Sequence, residues 1–366
     1  MRNRYMAIDT GAQNFRQHIN RMFPRRSAQR GLLVGSTLTV LVAAITLSTV
    51  HFTAAQTFSN PDQQPASSQA SASNFNGSGN ATPAAAPAAA LAAPAAKPAS
   101  SAPAPKADNG RYVALGDSVA AGLGLAALPN PAGFDTVCGR SSQAYGYEVG
   151  RQLGLPTELI ACSGATAGDL NTAQGIDNSP NPSSQISTAF AGGTPRLISI
   201  TAGANDLRWN ELLKACVATT CGSKSHSALV DGAIVLMKGK YRVALENIKL
   251  RSSVANSATP KVIMTGYYHP VSAACANMPA LKGRLTHAEL VWINGMVDKI
   301  NHNLNALATS AAYKDFARFA PVNFTGHDLC SGDSWIQGLE NPKTAVHPTA
   351  AGQQAIAKSV VQAAKR

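Results

Sequence analysis

Four short stretches of this 366-residue chain hold residue types that together can carry out acyl transfer: Gly116-Asp117-Ser118-Val119, Cys162-Ser163-Gly164-Ala165, Gly203-Ala204-Asn205-Asp206 and His347-Pro348-Thr349. A serine hydroxyl is a weak nucleophile and needs a base within hydrogen-bond reach to take its proton. His347 suits that role, since an unperturbed imidazole titrates near ~6.5. The tetrahedral intermediate then needs donors aimed at its oxyanion, each worth about 3 kcal/mol. The Ser118 backbone N–H, the Gly164 backbone N–H and the Asn205 side-chain amide are the candidates, and glycine at 164 lets backbone approach a substrate closely. Pro348 fits the first turn of a helix, with His347 at its mouth. Taken singly, each stretch has a plain structural reading. Gly-Asp-Ser is a common strand-end turn, Asn205-Asp206 a helix cap, and His-Pro a packing element. Their joint occurrence at corresponding places in one domain carries the chemical reading.

Those places are set by the elements around them. From Arg111 onward, short apolar runs read as buried parallel strands at 112–116, 157–162, 196–203, 261–267 and 317–322. Helical stretches lie at about 141–153, 227–257, 286–312 and 348–364. The longest of these sets Ile234, Leu236, Val243, Leu245 and Ile248 among charges at mixed three- and four-residue spacing. Strand–helix alternation implies right-handed βαβ units and an α/β fold, a three-layer α/β/α sandwich. In open sheets of this kind the site lies at the carboxyl ends of the strands, where three of the four stretches fall.

Upstream, the chain changes character three times. Residues 1–30 form a basic segment with seven arginines and one acid. Residues 31–50 carry no charge and are long enough to cross a hydrocarbon core of about 30 Å. The arginines before this span place the N-terminus in the cytoplasm and the remainder outside, either on a retained signal anchor or after cleavage near Ala54 and Ala55. Residues 51–108 are rich in Ala, Pro and Ser and read as a disordered, semi-rigid linker. The domain that follows, 109–366, holds 22 Lys and Arg against 16 Asp and Glu, a net +6 of the chain's +12. It lacks the basic–aromatic interleaving of a nucleic-acid surface, so the expected partners are a substrate and, through residues 31–50, a membrane, with no nucleic acid.

All six cysteines (Cys138, Cys162, Cys216, Cys221, Cys275 and Cys330) fall in the exported part, which suits three disulfides in an oxidising compartment. Their spacing does not suit zinc, and sequence alone allows fifteen pairings. Cys216–Cys221 is the easiest to accept, because only four residues separate the two.

The ordered set of motifs resembles the SGNH hydrolase superfamily, also called the GDSL esterase/lipase family, over essentially all of 109–366. The resemblance implies a flavodoxin-like sheet of five parallel strands and a site of Ser118, Gly164, Asn205 and His347. The cysteines resemble those of its secreted actinobacterial branch, which implies consecutive pairing: Cys138–Cys162, Cys216–Cys221 and Cys275–Cys330. One departure stands out. The family commonly carries an acid three residues before the histidine, and here that position is Thr344, whose backbone carbonyl is the expected acceptor from the imidazole. The implied function is an exported serine hydrolase that cleaves carboxylic esters through an acyl-enzyme, at the cell surface or secreted. The substrate is an acyl ester of a lipid, a glycan or a small alcohol. Two alternatives remain: acyl transfer to a cell-envelope glycan or lipid, and a binding module with a decayed site. Apolar residues of the loops (Leu123, Leu125, Leu128, Phe134, Phe190) are candidates for lining an acyl site. No phosphate loop, dinucleotide fingerprint or metal-ligand cluster appears, so no cofactor is expected.

Overall fold

Tyr112–Gly116 (β1) and Leu197–Thr201 (β5) are buried at every position, the pattern of strands covered on both faces. They lie side by side in parallel register, Gly116 opposite Thr201. The computed structural model describes residues 110–176, 179–180 and 183–366, and the basic segment 1–30, the apolar span 31–50 and the linker 51–108 lie outside them. No helix among the described residues is long and apolar enough to cross a membrane.

Thr157–Leu159 (β2), Lys261–Thr265 (β6) and Ala317–Ala320 (β7) complete a five-stranded, all-parallel sheet in the order β2-β1-β5-β6-β7. Gly175–Ile176 (β3) and Ser179–Pro180 (β4) form a separate two-stranded antiparallel pair. The helices are Ser118–Ala121 (α1), Tyr145–Leu153 (α2), Gln185–Ala191 (α3), Trp209–Ala218 (α4), Lys224–Val254 (α5), His287–Ala308 (α6) and Ala350–Lys365 (α7). α2 packs on α7 in one layer, and α5 packs on α3 and α6 in the other. From β1 the chain goes outward to β2, then returns to the opposite flank of β1 as β5. The gap between the carboxyl ends of β1 and β5 is therefore the topological switch point, where such sheets open a crevice.

Several elements differ from the sequence reading for identifiable reasons. The strand expected at 157–162 ends at Leu159, because the Arg140 guanidinium donates to the carbonyls of Ile160 (2.7 Å) and Ala161 (2.9 Å). The helix expected from 141 begins at Tyr145, since the Ser141 hydroxyl donates to the Ala126 carbonyl in a short bridge. α5 starts at Lys224 because Ser223 caps it, accepting from the His226 N–H. Within α5, Ile234, Leu245 and Ile248 are buried, whereas Leu236 and Val243 point to solvent. The disulfides are Cys138–Cys162, Cys216–Cys221 and Cys275–Cys330, the consecutive pairing.

Candidate active site

Ser118 opens α1, a single turn at the end of β1. Three contacts hold that turn. The Asp117 carboxylate accepts from the Val119 N–H at 2.9 Å, and the Asp117 N–H donates to the Thr201 carbonyl at 2.8 Å. Gln185 of α3 grips Gly116 from both sides, accepting from its N–H at 2.7 Å and donating to its carbonyl at 2.9 Å. Gly116 has φ +134°, and a Cβ there would collide with the Thr201 carbonyl, so the close pass of β1 over β5 demands glycine.

His347 arrives from the loop before α7. Its neighbour Val346 sits at φ +66°, a costly conformation for a β-branched residue. The surroundings enforce it: the Val346 N–H donates to the Gln337 carbonyl at 3.0 Å, and the Tyr268 hydroxyl donates to the Val346 carbonyl at 2.7 Å. Tyr268 is itself stacked on Phe324 at 4.3 Å. The His347 Nε2 lies 2.7 Å from the Ser118 Oγ, and its Nδ1 lies 3.2 Å from the Thr344 carbonyl and 3.1 Å from that of Ala345. Carbonyls only accept, so Nδ1 must carry the proton and Nε2 must be the lone-pair nitrogen that accepts from the serine hydroxyl. Burial pulls the imidazole below the usual histidine range, opposed by those two carbonyl contacts.

Asn205 follows β5 and spends one amide N–H on the Ala165 carbonyl at 2.9 Å, leaving the second for a ligand. Ser118, Asn205 and His347 line a single cleft, about 580 Å³ with its mouth. Gly164 precedes Ala165, whose carbonyl orients Asn205. The adjacent Asp206 is tied to the Ala167 N–H (2.7 Å) and to Lys240 (2.8 Å).

The sequence reading assigned no part to Asp117, Tyr267 or Tyr268. Asp117 is buried beneath the cleft and accepts from the Tyr267 hydroxyl at 2.5 Å, while burial pushes its carboxyl up to about 7. The loop residues Leu123, Leu125, Leu128, Phe134 and Phe190 do not line the cleft. Instead the cleft shares Asn210, Pro270, Ala345 and Val346 with an apolar groove of about 970 Å³, walled by Leu213, Val217, Val271, Leu281, Leu285 and Leu329. Both walls are stapled, α4 by Cys216–Cys221 and the 270–285 loop by Cys275–Cys330. Cys275 and Cys330, with Asp328, are the described residues whose ligand atoms cluster as for a metal, but disulfide sulfur is not a thiolate and does not ligate.

Residues 114–355 match the model of the GDSL-like lipase/acylhydrolase family. The chain belongs to that family. It is 31% identical over 265 residues to a lipase of Streptomyces rimosus, and 30% identical over 266 residues to Lipase 1 of Streptomyces coelicolor. Each alignment covers 69% of this chain and 86% of the relative. The crystal structure of the extracellular lipase from Streptomyces rimosus superposes with a TM-score of 0.52 at 25% identity, covering 69% of this chain and 99% of that one. The GDSL-family chain is accordingly a carboxylic ester hydrolase with an α/β fold. Its Gly116-Asp117-Ser118-Val119 stretch departs from the eponymous motif only in valine at the fourth position.

Proposed function

We propose that Ser118 and His347 hydrolyse lipophilic carboxylic esters outside the cytoplasm. The observation that carries this reading is the serine hydroxyl 2.7 Å from an imidazole nitrogen whose opposite nitrogen faces two carbonyls. As the Ser118 oxygen attacks the ester carbon, its proton passes to Nε2 and the negative charge moves onto the carbonyl oxygen. The N–H groups of Ser118 and Gly164 and the Asn205 amide stabilise that oxyanion. The intermediate collapses, the leaving alkoxide takes the proton from Nε2, and an acyl-enzyme remains. Water, deprotonated by the same nitrogen, then releases the acid and restores Ser118. The carbonyls of Thr344 and Ala345 hold the ring in one tautomer throughout, and stabilise the imidazolium less than a carboxylate would. The apolar groove beside the cleft takes the acyl chain, and the stapled walls preform it.

Export rests on the three disulfides and on the charge-free span 31–50 behind its arginines. In this reading 1–30 stays inside, 31–50 anchors or directs the chain, 51–108 spaces it and 109–366 is the hydrolase domain. A fluorophosphonate probe on the full chain tests the nucleophile, and the expected result is labelling that disappears in Ser118→Ala. Labelling that persists in that variant would sink the assignment. For the groove, Val217→Trp should lower kcat/KM about tenfold for long-chain p-nitrophenyl esters and spare the acetate; an equal loss for both would refute an acyl role.

A further inference from the structure

Large apolar side chains exposed among the described residues concentrate in one place: all but Val137 stand on α5 or on its neighbour α6. On α5, Leu229, Leu236, Val243 and Leu250 recur every seven residues, 68, 67, 57 and 63% exposed. Val235 and Val254 flank them, and Val291 is likewise exposed on α6. Seven residues are close to two helical turns, so the four lie in a nearly straight line about 30 Å long. Gly232 and Gly239 fall between them on the same face, and nothing lies within 4 Å of where their side chains would be. Isolated exposed leucines are ordinary in soluble proteins, but a contiguous stripe marks a contact surface.

Charge selects the partner. α5 carries Lys224, Lys238, Lys240, Arg242, Lys249 and Arg251 against only Asp231 and Glu246. Asp231 pairs with Lys299 of α6, Glu246 with Lys249, and Lys240 with Asp206, so α5 keeps a positive surplus in Lys224, Lys238, Arg242 and Arg251. A second copy docked stripe to stripe would bring this surplus against itself. An anionic bilayer answers both features, since leucines and valines enter the acyl boundary while the cations meet head-group phosphates. We infer that the α5 stripe docks the domain on an anionic lipid surface. The inference stands independently of which serine carries the chemistry. α5 begins three residues after Cys221, whose disulfide staples the groove wall α4.

A fluorescent reporter on the full chain separates this surface from any other route to a membrane. All six native cysteines are in disulfides, so a thiol introduced by Leu236→Cys takes an environment-sensitive dye selectively. Lys358→Cys, exposed on α7 in the opposite helix layer, is the control. On vesicles of equal parts phosphatidylcholine and phosphatidylglycerol the dye at 236 should shift to the blue, while the dye at 358 should not. The shift should vanish at high salt, and on phosphatidylcholine alone adsorption should be about tenfold weaker. Insertion of the N-terminal span alone would leave both dyes in water and would overturn the inference. So would equal shifts at both sites, or a shift at 236 without vesicles that grows with protein concentration as the mass doubles, which would assign the stripe to a second copy. Unchanged turnover of a soluble ester by each labelled variant confirms that it is folded.

Discussion

His347 sits between opposing influences: burial disfavours its charged form, and the carbonyls of Thr344 and Ala345 favour it only as neutral dipoles. The base must be neutral to act, so a lowered pKa keeps it active in mild acid. The acid limb of kcat/KM should therefore lie below the ordinary histidine value. Thr344→Asp should move that limb upward and raise turnover, because a carboxylate favours the imidazolium; a pH–rate profile in which the limb stays or falls would show that another group governs the ring. Asp117 makes a separate prediction. Its carboxyl titrates near about 7 in the fold against 3.8 ordinarily, because it is desolvated. The folded state therefore holds this proton more tightly than the unfolded one. Its contribution is full below about pH 4 and fades by a few kcal/mol as the pH rises through about 7. Asp117→Asn should flatten that slope in urea midpoints measured across the range, and an unchanged slope would place the titrating group elsewhere.

The same site depends on helices distant in sequence. Gln353 of α7 accepts from the Tyr145 N–H at the start of α2 (2.8 Å) and donates to the Val119 carbonyl in the nucleophile turn (2.9 Å). Gln353→Leu strands two buried backbone groups, each worth about 1–3 kcal/mol. Denaturant unfolding should register a loss of at least one such increment, and an unaltered midpoint would mean that water replaces the amide. Contacts of this kind, more than 200 residues apart, explain what was legible in the sequence. Gly116-Asp117-Ser118-Val119, Asn205 and His347-Pro348 were readable because they punctuate strand ends and a helix start, which are local events. The supports at Gln185, Tyr268, Gln337 and Gln353 were not, because nothing in their own neighbourhoods says where they reach. α4 was overlooked as well, and with it the groove. The mixed spacing of Ile234, Leu236, Val243, Leu245 and Ile248 does not say which of two apolar stripes meets the sheet, and it is Leu236 and Val243 that face solvent.

For the domain as a whole, the disulfides divide the work of constraint unequally. Cys275–Cys330 closes 55 residues, Cys138–Cys162 closes 24 and Cys216–Cys221 only 5. Loop-closure entropy alone gives about 4, 3 and 2 kcal/mol respectively. Paired Cys→Ser substitutions, followed by guanidinium unfolding, should cost stability in that order; a Cys216/Cys221 variant that loses the most would show that native contacts outweigh chain entropy here. That short staple belongs to the groove wall, so its removal should act more on long-chain ester turnover than on the unfolding midpoint.

The acceptors facing the His347 Nδ1 are main-chain oxygens. Every amino acid supplies a carbonyl, so no codon change can delete either one. An alanine scan across 340–345 would return a near-silent stretch beside the reacting base, and drift in those side chains would be tolerated wherever the loop keeps its path. Selection would instead fall on what bends the backbone: the strained Val346, the Tyr268 hydroxyl and Gln337. The partner of the histidine is in this sense inherited as a shape, and it is lost through residues that never touch the ring.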